Sequence, residues 1–506
     1  MKKSVRLSCF VVFCLLILGS HTPAQIKQSA SERISVDLTI YNQNIALVRE
    51  ERTIDLLKGM NRIIIPDIPA TIDGTSLHFS SLTDPSAVKV IEQNYQYDLV
   101  HQAKLLEKYI GKEVEFIRTD NESKKDYTVK GKLLATGWQL QPNYNSYGGT
   151  ALYSMTGQMI AEVNGKIEIS PAGRLVLPSL PEGLILKPQL EWLVSNSKQG
   201  EHKTEISYLA GQLTWSCNYV ALLDANDTQI DLTGWVTVIN NSGTTFKNAG
   251  LKLVAGDVNL VKEEQAGYAM RKSDMMEASA AAPQFQQKEL FEYKLYSLQR
   301  KTDISNNETK QIELTSAKKI SAKKVFMYDG MSSQWRSWSN NYSYREQGSF
   351  GQQSNKKIGV YVTFKNEEKT GLGISLPKGK VRVSKRDEEG KEQFVGEDEI
   401  DHTPKDEEIK LYLGNAFDIV GEHTQQNFRV VVPGHVVDET FEIKVRNHKS
   451  DLVEVMVYEH PWRWNEWDIT KSSSVWEKVD QTTIKFPVKL KKDEEKVITY
   501  TIRYTW

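Results

Sequence analysis

The sequence predicts an all-β protein, and three observations carry that reading. Most of the chain alternates apolar and polar residues with period two. In "TFEIKVR", Phe441, Ile443 and Val445 share one face while Glu442, Lys444 and Arg446 share the other. The dipeptide Asn164-Gly165 joins "MIAEV" to "KIEIS", and it supplies the positive φ angles that a two-residue hairpin turn requires. Strand-like runs such as "VEVMVYEH" and "KVITYTIRYTW" recur at short intervals between turn-rich segments, the pattern of sandwiches and small barrels. The expected architecture has residues 33–98 pairing with 186–262 in an N-terminal β-domain, with a small β-barrel and its leading helix inserted at 99–185. A mobile low-complexity loop follows at 263–288, and an immunoglobulin-like β-sandwich at 289–506.

The N-terminus reads as an export signal over residues 1–24. Lys2, Lys3 and Arg6 precede an apolar run from Leu7 to Leu18, and Thr22-Pro23-Ala24 offers small residues for cleavage before Gln25. The run is shorter than the ~20 apolar residues of a spanning helix, so no transmembrane segment is expected in the mature chain. Cys9 and Cys14 leave with the signal, and Cys217 stays alone without a partner for an internal disulfide. Cleavage also removes three cations and no acid, moving the formal charge from −1 to −4. A near-neutral chain lacks the basic face that nucleic acid requires.

One helix is expected. Leu99, Ala103, Leu106 and Ile110 recur at helical spacing, with Asp98 as N-cap and Gly111 at the C-terminus. Short strands follow, including "EVEFI", "YTVKGKLLATG" and "GRLVLPSL", interrupted by a loop rich in Asn, Tyr and Gly from Gln139 to Gly157. The stretch "EEQAGYAMRKSDMMEASAAAPQFQQ" has no sustained period, and "SSQWRSWSNNYSYREQGSFGQQSN" is equally soft; both are expected at the surface.

From residue 207 to the C-terminus several ordered motifs form a family signature. They are "YLAGQLTWSCNYVALLDANDTQIDLTGWVTVINNSGTTFKNAGLKLVAGDVN", "YKLYSLQRKTDISNNETKQIEL", "GEDEIDHTPKDEEIKLYLGNAFDI" and "VRNHKSDLVEVMVYE". This region resembles the exported bacterial domain-of-unknown-function 4139 family, whose members include mucoidy-inhibitor-A-like proteins. The resemblance implies export and a β-rich fold. It implies no reaction, because the family has no established catalytic residues to carry over.

No catalytic motif is present. In strand geometry Cys217 shares a face with Leu213, Trp215, Tyr219, Ala221 and Leu223, and no histidine lies within ten residues of it. That is packing rather than a nucleophile, since burial raises a thiol pKa. His402, His423, His435, His448 and His460 lack the close spacing of zinc ligands, so no metal and no cofactor are expected. "DANDTQID" lacks the glycine and glutamate of a calcium loop and reads as a hairpin turn. "GISLPKGK" has the wrong spacing for a phosphate loop, and no "GxSxG" elbow occurs.

Two aromatic clusters stand out as ligand-binding candidates. One comprises Trp335, Trp338, Tyr342 and Tyr344; the other comprises Trp462, Arg463, Trp464 and Trp467. Tryptophan and tyrosine among polar side chains suit sugar rings or protein hot spots, but they also cap the open ends of sandwiches. The expected function is therefore a non-catalytic binding protein of the periplasm or cell surface, recognising an envelope glycan or a protein partner. The alternative is an envelope polysaccharide hydrolase built on Glu397, Asp398 and Asp401. A third reading is a structural spacer whose loops bind nothing.

Overall fold

The computed structural model describes residues 24–27, 33–66, 68–96, 100–141, 152–155, 157–181, 184–256, 258, 284–290, 292–331, 346–348 and 355–506. The protein is all-β, built as packed sheets, with one short α-helix among the described residues.

The central unit is a sandwich. One sheet runs, in spatial order, Phe285–Leu290, Tyr293–Leu298, Phe246–Ala255, Arg33–Tyr41, Ile45–Leu56, Gly200–Gly211 and His78–Ser81. Against it packs the strand Leu213–Leu223, which pairs antiparallel with Gln229–Asn240 and parallel with Gly379–Arg386. Alternation in that strand buries Leu213, Trp215, Cys217, Tyr219, Ala221 and Leu223, as its sequence predicts. The inward hydroxyls and indole are satisfied across the core: Trp215 Nε1 donates to Val254 O at 3.2 Å and Tyr219 Oη to Pro377 O at 2.7 Å. A smaller sheet of Ala24–Lys27, Gly59–Pro66, Gln189–Asn196 and Val88–Gln96 adds Trp192 and Ile63 to the same core.

A second core lies in the C-terminal sandwich. Val436–Asn447 pairs with Glu495–Thr505 and Val453–Glu459 with Thr483–Leu490; both pairs belong to one continuous sheet that folds over itself, joined where Phe326–Asp329 runs parallel to Val455–Tyr458, and Phe486 meets Tyr500 across the gap at 5.5 Å. Three strands feed both cores. Glu308–Asp329 gives Ile312 and Leu314 to the first and Phe326 and Tyr328 to the second. Lys357–Lys365 and Glu408–Val432 do the same with Phe364 and Ile358, and with Leu411 and Ile419.

The inserted region departs from a barrel. Its strands run in the order Lys166–Ile169, Ile160–Val163, Asp126–Ala135, Glu113–Thr119 and Arg174–Val176, and the two edges do not pair, so the sheet stays open. Closure needs a ladder of bonds between the edges, and these edge strands have only four and three residues. A side chain bridges the gap instead, Arg118 reaching Glu168 at 2.6 Å. Ile167 and Ile169 are left 70% and 65% exposed on the free edge. The hairpin turn forms at Asn164-Gly165, with φ of 51° and 75°.

The helix spans Gln102–Glu107, shorter than its periodicity predicts. Asp98 and Leu99 lie outside the described residues, and His101 precedes the helix without a side-chain cap. Ala103 and Leu106 are buried as expected, but Ile110 is 47% exposed and Tyr109 is buried in its place, its hydroxyl donating to Ser179 O. The early end turns Tyr109 into the small core that the continuous period assigns to Ile110. Of the two segments expected to be soft, 263–283 of the first and 332–345 and 349–354 of the second lie outside the described residues, while Phe285–Leu290 is a strand with Phe285 buried. Within the loop expected at 139–157, Trp138–Gln141 and Leu152–Met155 pair antiparallel.

Candidate functional site

Trp335, Trp338, Tyr342 and Tyr344 lie outside the described residues. The other aromatic cluster follows Val453–Glu459 and divides into an inside and a rim. Trp462 is 9% exposed and Arg463 only 2%. The Arg463 guanidinium lies 4.4 Å from the Trp462 ring and 4.9 Å from that of Phe428. It also donates to Glu439 Oε1 at 2.6 Å and to Gln347 O at 2.7 Å. These two side chains close the end of the C-terminal sandwich. Trp464 is half-buried against the same core. Trp467 is half-buried against that core too, at its rim, its indole donating to Gln481 O, with Lys478 Nζ 4.7 Å from its ring and Trp476 at 6.4 Å.

Behind Arg463 the sandwich encloses a polar network that the sequence reading passed over. His423 Nε2 lies 2.9 Å from Glu459 Oε2, and the Tyr500 hydroxyl donates to the same oxygen at 2.5 Å. Gln425 Nε2 donates to Glu439 Oε1 at 2.6 Å. Glu459 Oε1 and Glu439 Oε2 are buried without a hydrogen-bond partner among the described residues. Burial opposes the imidazolium of His423, but the charge and hydrogen bond of Glu459 outweigh it, with Glu439 and Asp329 adding to the pull; the pKa lies above the usual 6.5. Burial, then the Glu459 charge, pushes the Tyr500 hydroxyl well above its ordinary value. The signal for these residues was the alternation itself, which places His423, Gln425, Glu439 and Glu459 at inward positions of their strands.

The acidic residues of the hydrolase alternative do not converge. Glu397 is held by Lys380 at 2.8 Å and Arg382 at 3.4 Å. Asp398 accepts from the backbone N–H of Tyr412, and the side chain of Asp401 is 92% exposed, 3.6 Å from Lys378. Cys217 is sealed in the first core, where burial pushes its thiol up to about 12. In "DANDTQID" Asp224 accepts from the backbone N–H groups of Thr228 and Gln229, which is a turn. Among the described residues, no group of three or more His, Cys, Asp or Glu is placed to hold a metal ion. No helix among them is long and apolar enough to cross a membrane.

A cleft of about 710 Å³ opens in the N-terminal region, between Arg33–Val36, the bend at 243–245 with the start of the strand Phe246–Ala255, and the connection at Lys187-Pro188. Arg33, Lys187 and Lys247 line it together with Ser35, Thr244, Thr245, Asn248 and Asn306, over an apolar wall that includes Ile34 and Ile68. The polar side is held in place by its own bonds. Asn306 Oδ1 accepts from Gly243 N at 2.9 Å, and Thr245 Oγ1 accepts from Asn306 N at 3.0 Å. Asp303 Oδ1 accepts from Asn248 N at 2.7 Å. Arg33 is anchored to the buried Glu50 at 3.1 Å, which Arg52 also binds at 2.7 Å. Sequence reasoning missed this site because its walls come from five separate stretches with no shared motif. No protein-family model and no curated protein matches the chain.

Proposed function

We propose that this is an exported, non-catalytic binding protein of the cell envelope, related to the mucoidy-inhibitor-A-like family, that recognises an envelope glycan. The charged and apolar pattern of residues 1–24 supports export to the periplasm or cell surface. The motifs between Tyr208 and Glu459 support the family relationship. The observation that carries the binding reading is the cleft. Hydroxyl, amide and cationic side chains converge on a pocket of small-ligand size.

A hydrolase would need two carboxylates about 5–10 Å apart in an open cleft. Glu439 and Glu459 are sealed inside a sandwich, and Glu397 is ion-paired on the sheet surface, so neither arrangement favours hydrolysis. A protein partner is the second reading within binding, and Trp467, at the rim with Trp476 and Lys478, is the observation behind it. The test is retention of the purified mature chain on immobilised envelope polysaccharide, with reducing ends assayed in the eluate. Retention without new reducing ends is expected. Release of reducing ends would establish the hydrolase, and no retention would remove the glycan reading.

A further inference from the structure

We infer that Asn164 is a site of spontaneous deamidation, at which the backbone nitrogen of Gly165 closes on the Asn164 side chain and ammonia leaves. Asparagine is among the thermolabile side chains, and Asn164-Gly165 is the one Asn-Gly pair in the sequence. It forms the exposed two-residue turn between Ile160–Val163 and Lys166–Ile169, with φ of 51° and 75°. Both reacting groups stand unengaged there. Among the described residues the Asn164 amide makes no hydrogen bond, and the Gly165 N–H donates to none. Gly165 brings no side chain to hinder the closure, and a Cβ built on it would meet no atom within 4 Å.

Other exposed asparagines lack a free nitrogen at the following residue. After Asn241 it belongs to the buried Ser242 and donates to Asn240 Oδ1 at 3.1 Å. After Asn121 it belongs to Glu122 and donates to Asp120 Oδ1 at 3.2 Å. After Asn226 it belongs to Asp227 and donates to Asp224 O at 3.3 Å.

In the reaction Gly165 N gives its proton to water as it bonds to Asn164 Cγ. The Cγ–Nδ2 bond breaks, and the leaving nitrogen takes up a proton and departs as ammonia. Water then opens the succinimide at either carbonyl, leaving aspartate, or isoaspartate with the main chain routed through Cγ. Closure requires the turn to open, since positive φ at both positions belongs to the folded hairpin. Opening is easy here. Lys166–Ile169 is a four-residue edge strand, bonded along one side among the described residues, with Ile167 and Ile169 exposed. Isoaspartate adds a carbon to the main chain of a two-residue turn that has no slack. It therefore releases the edge strand that brings Glu168 to Arg118.

The experiment holds the full mature chain at mildly alkaline pH, below its unfolding temperature, beside a synthetic peptide of residues 160–169. Deamidation is followed site by site by mass spectrometry of digests, against an unheld blank, with isoaspartate separated from aspartate by chromatography. Asn164 is expected to convert ahead of Asn121, Asn226 and Asn241, more slowly than in the peptide, with a gain of one negative charge per chain on ion exchange. Asn164→Gly, which keeps a turn that accepts positive φ, should abolish that early charge shift. Asn164 intact once the peptide has fully converted, or any of the three other asparagines converting first, would overturn the site. Faster amide exchange over Lys166–Ile169 is expected in the converted chain. Exchange as slow as in the unconverted chain would overturn the release of the edge strand.

Discussion

His423 Nε2 sits 2.9 Å from Glu459 Oε2, with both side chains sealed inside the C-terminal sandwich. Phe441 stacks on the imidazole at 4.9 Å, and the Tyr500 hydroxyl completes the carboxylate's bonded oxygen. Among the described residues, burial lowers the pKa of His423 while the charges of Glu459, Glu439 and Asp329 raise it, and the pKa ends above 6.5. A protonated His423 is the buried cationic partner of Glu459, and losing that proton removes the pairing from the core.

The sign of the pH dependence follows. A histidine whose folded pKa is raised contributes stability fully below its unfolded value, near 6.5, and loses it as pH climbs through the folded value. Stability of the C-terminal sandwich should therefore fall as pH rises from 6.5 into the alkaline range. Urea denaturation followed by tryptophan fluorescence at several pH values reads this directly. His423→Gln should lower stability at pH 6 and flatten the profile; an unchanged slope in that variant would remove His423 as its source.

Arg463 and Glu439 form a second buried pair, 2.6 Å apart. Removing one partner of such a pair strands the other, at a cost of about 3–5 kcal/mol. Arg463→Met should cost that much in equilibrium denaturation. Joining it to Glu439→Leu should recover a good part of the loss, because the stranded carboxylate is then gone. A double variant as unstable as the two single losses added together would show that the pair does not couple.

Asparagines close several strands in the same way. Asn240 donates to Thr244 O, Ile304 O and Ser305 O and accepts from Ser242 N and Oγ. Asn447 donates to Asp451 O and Lys491 O, and Asn366 to Ile374 O and Pro404 O. Asn240→Ala leaves several backbone groups without partners inside the fold, where each costs about 1–3 kcal/mol. A loss of about 3 kcal/mol is expected in the denaturation midpoint. Asn241→Ala, at the neighbouring exposed position, should fall within about 0.5 kcal/mol of wild type.

The alternation that made the fold class legible also held more than it was asked for. It placed Leu213 through Leu223 correctly, and the Asn164-Gly165 turn is where its sequence puts it. The same period points His423, Glu439 and Glu459 inward, yet a polar residue at an inward position reads as noise unless its partner is known, and those partners lie on other strands. Sequence alone also treats Trp462, Trp464 and Trp467 alike, since burial there depends on what covers each ring. Sheet closure was illegible for a related reason: pairing of the edges depends on strand length and shear, and short polar-apolar runs are equally compatible with an open sheet. The cleft joins Arg33, Lys187, Lys247 and Asn306, positions that no local pattern connects.

Cys217 offers a probe of the whole central sandwich. Its thiol is buried against Tyr219, with burial pushing its pKa up to about 12, so thiolate is scarce and reagent has no path to it. Iodoacetamide at pH 8 should leave the native protein unlabelled and modify one site per mature chain in 6 M guanidinium, a concentration chosen to unfold domains of about ordinary stability. Labelling in sub-denaturing urea should then track opening of the sheet formed by Leu213–Leu223 and its neighbours. Cys217→Ser puts a hydroxyl where the neighbouring strands offer an apolar face and should cost about 1–3 kcal/mol. Cys217→Ala, which leaves only a small void, should cost less than the serine variant. Rapid labelling of the native chain, or a serine variant as stable as wild type, would mean that the strand opens far more readily than its packing allows.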